Sequence, residues 1–119
     1  MPLGYEGRLV TPEQRAEAFR KMVAQRPDEP FPRYSLAMCH RSAGQLDDAV
    51  REFQELIRRC PDYVPTYLML GQVLVSLGRA AEAVGVLERG VAAASQADQQ
   101  HARSEMQQAL ELLQAQGVR

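Results

Sequence analysis

A set of residues recurs in this chain at a fixed distance of 34 positions, and this repeat constrains the fold more than any other feature. A unit of this length is too short to bury its own apolar face, so consecutive copies must stack and cover one another. Stacking leaves a long open surface, which suits binding of another chain better than catalysis. The recurring pairs are Leu36 and Leu70, Gly44 and Gly78, Asp48 and Glu82, Ala49 and Ala83, Val50 and Val84, and Phe53 and Leu87.

The spacing of apolar residues predicts an all-α protein. Phe19, Met22 and Val23 recur at helical spacing, and Thr11 and Gln14 stand where a capping box begins a helix. Prolines, glycines and charge pairs at helix ends mark the remaining boundaries. The predicted helices cover residues 12–26, 31–43, 47–59, 64–77, 80–94 and 98–116.

The repeat also predicts how the chain is organised. It stops beyond Ser95, yet Met106, Leu110 and Leu113 still mark one face of a Gln-rich helix. Repeat arrays need a polar-faced end unit, so this helix is interpreted as a cap. The predicted parts are an N-terminal tail 1–10, a repeat region 11–95 made of a half unit 11–29 and full repeats 30–63 and 64–97, and a capping helix 98–116.

The N-terminal tail has two interpretations. Leu3, Tyr5, Leu9 and Val10 either lie over the first helix in place of a missing partner helix, or the tail is disordered. Both alternatives stay open at this point.

Composition excludes several classes of function. A net charge of −1 and a pI near 6.1 provide no field that would gather nucleic acid or an anionic membrane surface. No segment approaches the roughly 18 apolar residues needed to insert in a membrane. Cys39 and Cys60 fit neither a disulfide framework nor a zinc ligand set, so both are expected to be reduced thiols. We therefore expect a cytoplasmic protein.

The residues that carry chemistry form no catalytic pattern. Cys39 and His40 are adjacent, which on a helix points them about 100 degrees apart, so His40 is expected to pack within a hairpin. His101 has only Glu105 as a neighbour at helical spacing, and one weak pair does not make a metal site. Asp47 and Asp48 stand at a predicted helix start, so their carboxylates are explained by capping and by the helix dipole. We expect no cofactor, no metal and no enzymatic activity.

The repeated residues resemble the tetratricopeptide repeat, in which an aromatic residue, Leu-Gly and a second aromatic are followed by Ala and Phe at fixed spacing. The second copy here contains Tyr67, Leu70-Gly71, Leu74, Ala83 and Leu87, and the first contains Arg33, Leu36-Ala37, His40, Ala49 and Phe53. The resemblance covers about residues 19–91. It implies a short right-handed α-α superhelix of about six helices. Arg33 and His40 depart from the pattern, because they replace aromatics.

Small residues in this pattern predict close contacts between helices. Gly71 and Ala37 are expected to let the two helices of a hairpin approach, and Phe53 is expected to fill the junction between hairpins. Gly90 and Gly85 each cost about 1 kcal/mol within a helix, so they are expected to permit close approach of the last helix. For Gly85, sequence drift is the competing explanation.

The resemblance further implies that the first helix of each hairpin lines a concave groove. The groove is then apolar and Met-containing, with Arg41 as its main charge. Family members that grip a C-terminal carboxylate use Lys, Asn and Arg, whereas the corresponding positions here are Tyr34, Met38 and Met69, so no such clamp is expected. The predicted lining is Phe31, Tyr34, Ser35, Met38, Arg41 and Ser42 from one helix and Leu68, Met69, Gln72, Val75 and Ser76 from the other.

This lining predicts the class of partner. An apolar or amphipathic segment of another protein is the expected ligand, and the protein is then a non-catalytic adaptor or scaffold. The alternative is a homo-oligomer that forms through the solenoid ends or through the groove. A third reading is that the tail or the last helix covers the groove internally.

Overall fold

The computed structural model describes residues 10–119, so the predicted tail lies outside the described residues except for Val10. Within that range the chain is a helical solenoid of six helices without strands, which confirms the predicted fold class. Each predicted helix end lies within two residues of the observed end. The helices are α1 (Pro12–Gln25), α2 (Pro30–Ser42), α3 (Leu46–Arg59), α4 (Pro65–Ser76), α5 (Ala80–Gln96) and α6 (Gln100–Ala115).

Local sequence signals explain several helix boundaries. The Thr11 hydroxyl accepts a hydrogen bond from the Gln14 backbone N–H, and the Thr11 N–H donates to Gln14 Oε1, each at 3.0 Å. The predicted capping box is therefore present. Gly44 and Gly78 both have φ of +76°, a left-handed conformation that favours glycine at the turns after α2 and α4.

The helices stack in chain order. Each one packs mainly against its neighbours in sequence, which is the contact pattern of a solenoid. The described chain measures 54 × 27 × 26 Å. Its core runs along the long axis and is built from side chains with less than 2% exposure, among them Phe53 and Leu56 of α3, Leu74 of α4 and Met106 of α6. None of the helices in residues 10–119 has the length and apolarity to span a bilayer.

Two of the predicted close approaches are present and one is not. A Cβ atom added at Gly71 would lie 3.0 Å from Leu87 Cδ2, so α4 and α5 touch there. A Cβ at Gly90 would lie 2.5 Å from Tyr67 Cβ and would also collide with Met106 Sδ, so α5 meets both α4 and α6. At Gly85 no described atom lies within 4 Å, and the expectation of close approach was wrong for that residue.

The predicted capping role of the two aspartates was also wrong. Gln45 is the residue that precedes α3, and no side-chain hydrogen bond caps the start of that helix among the described residues. Asp47 and Asp48 instead occupy the first helical turn, where a negative charge complements the helix dipole. Asp48 additionally pairs with Arg51 one turn later.

An arginine is buried where the repeat pattern expects an aromatic residue. Arg33 is 9% exposed and donates a hydrogen bond to Glu52 Oε1 at 3.0 Å, which joins α2 to α3. Its counterpart Tyr67 lies 34 positions later, is 3% exposed and donates its hydroxyl to the Pro61 carbonyl. The first repeat thus replaces aromatic packing with an ion pair between its two helices.

Candidate partner-binding groove

The predicted groove residues lie on partly exposed sides of α2 and α4, although Tyr34 also contacts Phe53 of α3. Helical spacing places Tyr34, Met38 and Arg41 on one side of α2, while Leu68 and Gln72 share a side of α4. Phe31 is exposed by 58% and Val75 by 42%. The other apolar members of the set are half-buried, so this side of the molecule is only partly covered.

Most of this set lines three cavities, whereas Arg41 and Ser76 line none of the three. The largest, the α1–α2 cavity, holds about 550 Å³ and is lined from α2 by Phe31, Tyr34, Ser35 and Met38. Its opposite wall is α1, where Phe19 meets Phe31 edge-on with ring centroids 6.2 Å apart. An aromatic pair with one exposed ring is a suitable anchor point for another apolar side chain.

A second cavity lies at the other end of the groove. This α4–α6 cavity holds about 200 Å³ and includes Leu68, Gln72 and Val75 of the predicted set. Its far wall is α6, which contributes Leu112, a side chain that is 61% exposed. The lining is almost entirely apolar apart from Gln72.

A third, central cavity of about 170 Å³ connects the two helices of the predicted set. Tyr34 of α2 lines it together with Leu68 and Met69 of α4, and Glu105 of α6 contributes the charged part of its wall. Tyr34 therefore borders both the α1–α2 cavity and the central cavity.

Arg41 bridges α2 and α4 across the groove. Its Nη1 lies 3.6 Å from Met69 Sδ and its Nη2 donates to Gln72 Oε1 at 3.3 Å. Both acceptors are neutral, and within residues 10–119 Arg41 forms no ion pair. The guanidinium is positioned, but its charge is not compensated by a described carboxylate.

Tyr34 is fixed by an aromatic cluster. Its ring meets Phe53 at 5.9 Å and Tyr63 at 5.6 Å between centroids, both with edge-on geometry. Burial, and secondarily the neighbouring Tyr63, raises the pKa of Tyr34, while Arg41 acts in the opposite direction. Tyr34 consequently keeps its proton at neutral pH and offers a hydroxyl donor to the groove.

The residues considered for chemistry occur at separate places in the fold, apart from the sequence neighbours Cys39 and His40 and the pair His101 and Glu105. His40 is half-buried, as expected, and its Nδ1 is 3.0 Å from Gln45 Oε1. Cys39 and Cys60 are free thiols, and burial raises the pKa of the Cys60 thiol, which makes it a weaker nucleophile. His101 Nε2 lies 3.5 Å from Glu105 Oε1 on the exposed side of α6. The described residues contain no cluster of three potential metal ligands.

Sequence reasoning missed the α1 wall of the groove, and it considered α6 only as an alternative cover of the groove and not as the wall of a cavity. Phe19 was assigned to the apolar face of α1, but its position beside Phe31 was not expected. Leu112 is adjacent to Leu113, which is buried in the face of α6 that was predicted. An apolar residue next to a predicted buried face, in an otherwise Gln-rich helix, was the available signal.

Comparison with known proteins identifies the family. A sequence profile of the tetratricopeptide repeat matches residues 41–106, and a second profile of the same repeat matches residues 12–64. The chain belongs to the tetratricopeptide repeat family. The resemblance found in the repeated residues is thereby confirmed, and the matched region includes α1 and the beginning of α6.

Solved structures agree with this assignment. A tetratricopeptide repeat domain protein from Salinibacter ruber is 33% identical, with a TM-score of 0.69 over 73% of this chain and 97% of that one. The translocator chaperone SycD of Yersinia enterocolitica is 15% identical, with a TM-score of 0.81 over 89% and 74% of the two chains. PcrH, solved with the chaperone-binding region of PopD, is 14% identical, with a TM-score of 0.80 over 86% and 77%. At this level of identity, SycD and PcrH show a shared fold alone. Among curated proteins no match was found.

Proposed function

We propose that this tetratricopeptide repeat protein is a non-catalytic interaction module that binds an apolar or amphipathic segment of a partner protein in the groove along α2 and α4. The observation that carries the proposal is the placement of exposed apolar side chains. Of the four large exposed apolar residues in the described chain, Phe31 lines the α1–α2 cavity, and Val75 and Leu112 line the α4–α6 cavity. Concentrated apolar exposure in concave sites is typical of binding surfaces.

The flexible residues of the groove suit this role. Met38 lines the α1–α2 cavity and Met69 the central cavity, and both are half-buried. Unbranched thioether side chains adapt their shape to an incoming apolar group, which favours binding of varied segments. Tyr34 adds a rigid aromatic wall that costs little entropy on binding.

The fold neighbours support an interaction role. PcrH was solved in complex with the chaperone-binding region of PopD, and SycD is described as a translocator chaperone. Both proteins share the solenoid architecture of this chain. By analogy of fold, the proposed ligand here is a protein segment, and a cytoplasmic location remains a prediction.

The proposal is tested by affinity capture with groove variants. Phe31→Glu and Val75→Glu each place a charge in one cavity, and both sites are exposed enough to leave the core intact. We expect both variants to lose the partners that the wild-type protein captures, as measured by quantitative mass spectrometry. The matched control is Ala92→Glu on the exposed side of α5, which should retain them.

Partners that remain bound equally to the groove variants and to the control would contradict the proposal. Circular dichroism and thermal melting confirm that each variant is folded. The alternative, a homo-oligomer, is distinguished by light scattering of the purified protein. Self-association that disappears in Leu112→Glu or Phe31→Glu would assign the groove to a second copy of the chain instead.

A further inference from the structure

We infer that Arg41 selects the partner: the groove binds a segment that carries an acidic side chain between two apolar anchors. The inference rests on the proposed function, and it adds the chemistry of the ligand. It follows from three observations, which are the weak bonding of Arg41, its position between two apolar cavities, and the surroundings of its charge.

Arg41 has bonding capacity left over. A guanidinium has five N–H donors, and the two acceptors that it meets here are a thioether at 3.6 Å and an amide oxygen at 3.3 Å. The thioether is a weak acceptor, the contact to the amide oxygen is long, and both groups are neutral, so they orient the side chain without satisfying its charge. A carboxylate makes shorter, charge-assisted hydrogen bonds with arginine, often two at once. Because the side chain already spans α2 and α4, little ordering remains to be done when such a ligand arrives.

The position of Arg41 defines the pattern of the ligand. It reaches from α2 to Gln72, and Gln72 itself lines the α4–α6 cavity, whereas the α1–α2 cavity is lined by Met38 and Ser42, which lie next to Arg41 on α2. An extended segment rises about 3.3 Å per residue, so a segment of several residues can reach from one cavity past Arg41 to the other. The acidic residue falls between them.

The surroundings of Arg41 favour an acidic rather than a basic ligand group. The groups placed against it are the Met69 thioether, the Gln72 amide and, at longer range, the Tyr34 phenol, none of which carries a negative charge at neutral pH. The carboxylates in the cavity linings are Glu105 at the central cavity and Glu13 at the α1 wall, and neither pairs with Arg41.

The same geometry indicates an internal acidic side chain rather than a chain terminus. Apolar cavities flank Arg41 on both sides, so a ligand that fills both must continue past the carboxylate. A terminal carboxylate bound at Arg41 would leave one cavity empty. The ligand class is therefore an internal segment of a partner protein with the order apolar, acidic, apolar.

The experiment uses the full chain and a random library of 12-residue peptides displayed on phage with no free C-terminus. It compares the wild type with Arg41→Glu and with Arg89→Glu, a charge reversal at an exposed site on α5 outside the cavities. We expect the wild type and Arg89→Glu to enrich peptides with Asp or Glu between two apolar positions. Arg41→Glu should enrich Lys or Arg at the intervening position.

Affinity of one selected peptide, synthesised with an amidated C-terminus, completes the test. Replacing its acidic residue by the corresponding amide should weaken binding to the wild type about tenfold, the loss expected for one charge-assisted bond. In Arg41→Gln the two peptides should bind within about twofold of each other. Fluorescence anisotropy measures the affinity of each peptide for the wild type and for Arg41→Gln.

Two outcomes separate the failure of this inference from failure of the proposed function. Apolar peptides enriched without an acidic preference, and unchanged by Arg41→Glu, would overturn the role of Arg41 while leaving groove binding in place. No enrichment over an empty support, or selected peptides that bind Val75→Glu as tightly as the wild type, would overturn groove binding itself.

Discussion

At the scale of single residues, two glycines of α5 have opposite surroundings and give a matched test of packing. In Gly90→Ala the new methyl group would meet Tyr67 Cβ at 2.5 Å and Met106 Sδ even closer, so α4 or α6 must move. We expect the free energy of unfolding to fall by about 2 kcal/mol. In Gly85→Ala no described atom lies within 4 Å of the new methyl group. The gain in helix propensity should therefore raise the free energy of unfolding by about 0.5–1 kcal/mol. Urea denaturation measures both changes.

The decisive result is whether each substitution lowers or raises the free energy of unfolding relative to the wild type. If Gly90→Ala were as stable as Gly85→Ala, the close contact of α5 with its two neighbours would be wrong. The wild-type protein is the common reference for both substitutions.

Arg33 shows a limit of sequence reasoning at this scale. Its position in the repeat marked it as a departure from the pattern, but nothing in the sequence indicated that it would be buried with Glu52. The two residues are 19 positions apart on different helices, so their contact depends on how α2 and α3 are rotated against each other. Helical spacing gives the buried face of one helix, and it does not give the partner of one polar atom.

At the scale of helices, α3 carries a charge cluster that gives the fold a pH dependence. Glu55 accepts hydrogen bonds from Arg58 and Arg59, and Arg59 also pairs with Asp28 in the connection before α2. These bonds, the one from Arg58 first, lower the pKa of Glu55 from 4.5 to about 2. A carboxyl whose pKa is lowered by folding stabilises the folded state above pH 4.5, and this contribution disappears as the pH falls towards 2.

The prediction concerns Glu55→Gln. Near pH 7 the variant should melt at a lower temperature than the wild type, because the paired carboxylate is missing. Below pH 4.5 the two melting temperatures should converge as the wild-type carboxyl becomes protonated. Glu88→Gln, a substitution on α5 outside the described ion pairs, is the control and should show no such convergence. A constant difference from pH 7 to pH 2 would contradict the assigned pairing.

The helices of the groove were predicted unequally well. The exposed sides of α2 and α4 followed from the spacing of residues such as Tyr34, Met38 and Leu68, together with the family resemblance. The α1 wall was not predicted, and α6 was considered only as an alternative cover of the groove, because the packing of these two helices against α2 and α4 lies outside the two full repeats. A repeat pattern predicts contacts between equivalent units, and it carries no information about where an incomplete end unit leaves a cavity.

At the scale of the whole molecule, the solenoid distributes stability unevenly along its axis. Helices at the centre have packed neighbours on both sides, whereas α1 packs chiefly against α2. Among the described residues α1 has no buried residue, while α4 has six, including Leu70 and Leu74. In an array whose units contact only their neighbours, the end with the smaller buried face opens most readily.

Native-state hydrogen exchange tests this gradient. We expect amides in the second half of α1 to be at least about tenfold less protected than those of α4, because opening α1 exposes little apolar surface.

The gradient also connects stability with function. A ligand in the α1–α2 cavity covers Phe19 and Phe31, which lie on its two walls, so binding should raise protection in α1 more than in α5. Addition of a phage-selected peptide provides the comparison, and Phe31→Glu, which weakens that site, is the control. Equal protection of α1 and α4 in the free protein would contradict the gradient, and a ligand effect confined to α5 would move the binding surface away from this cavity.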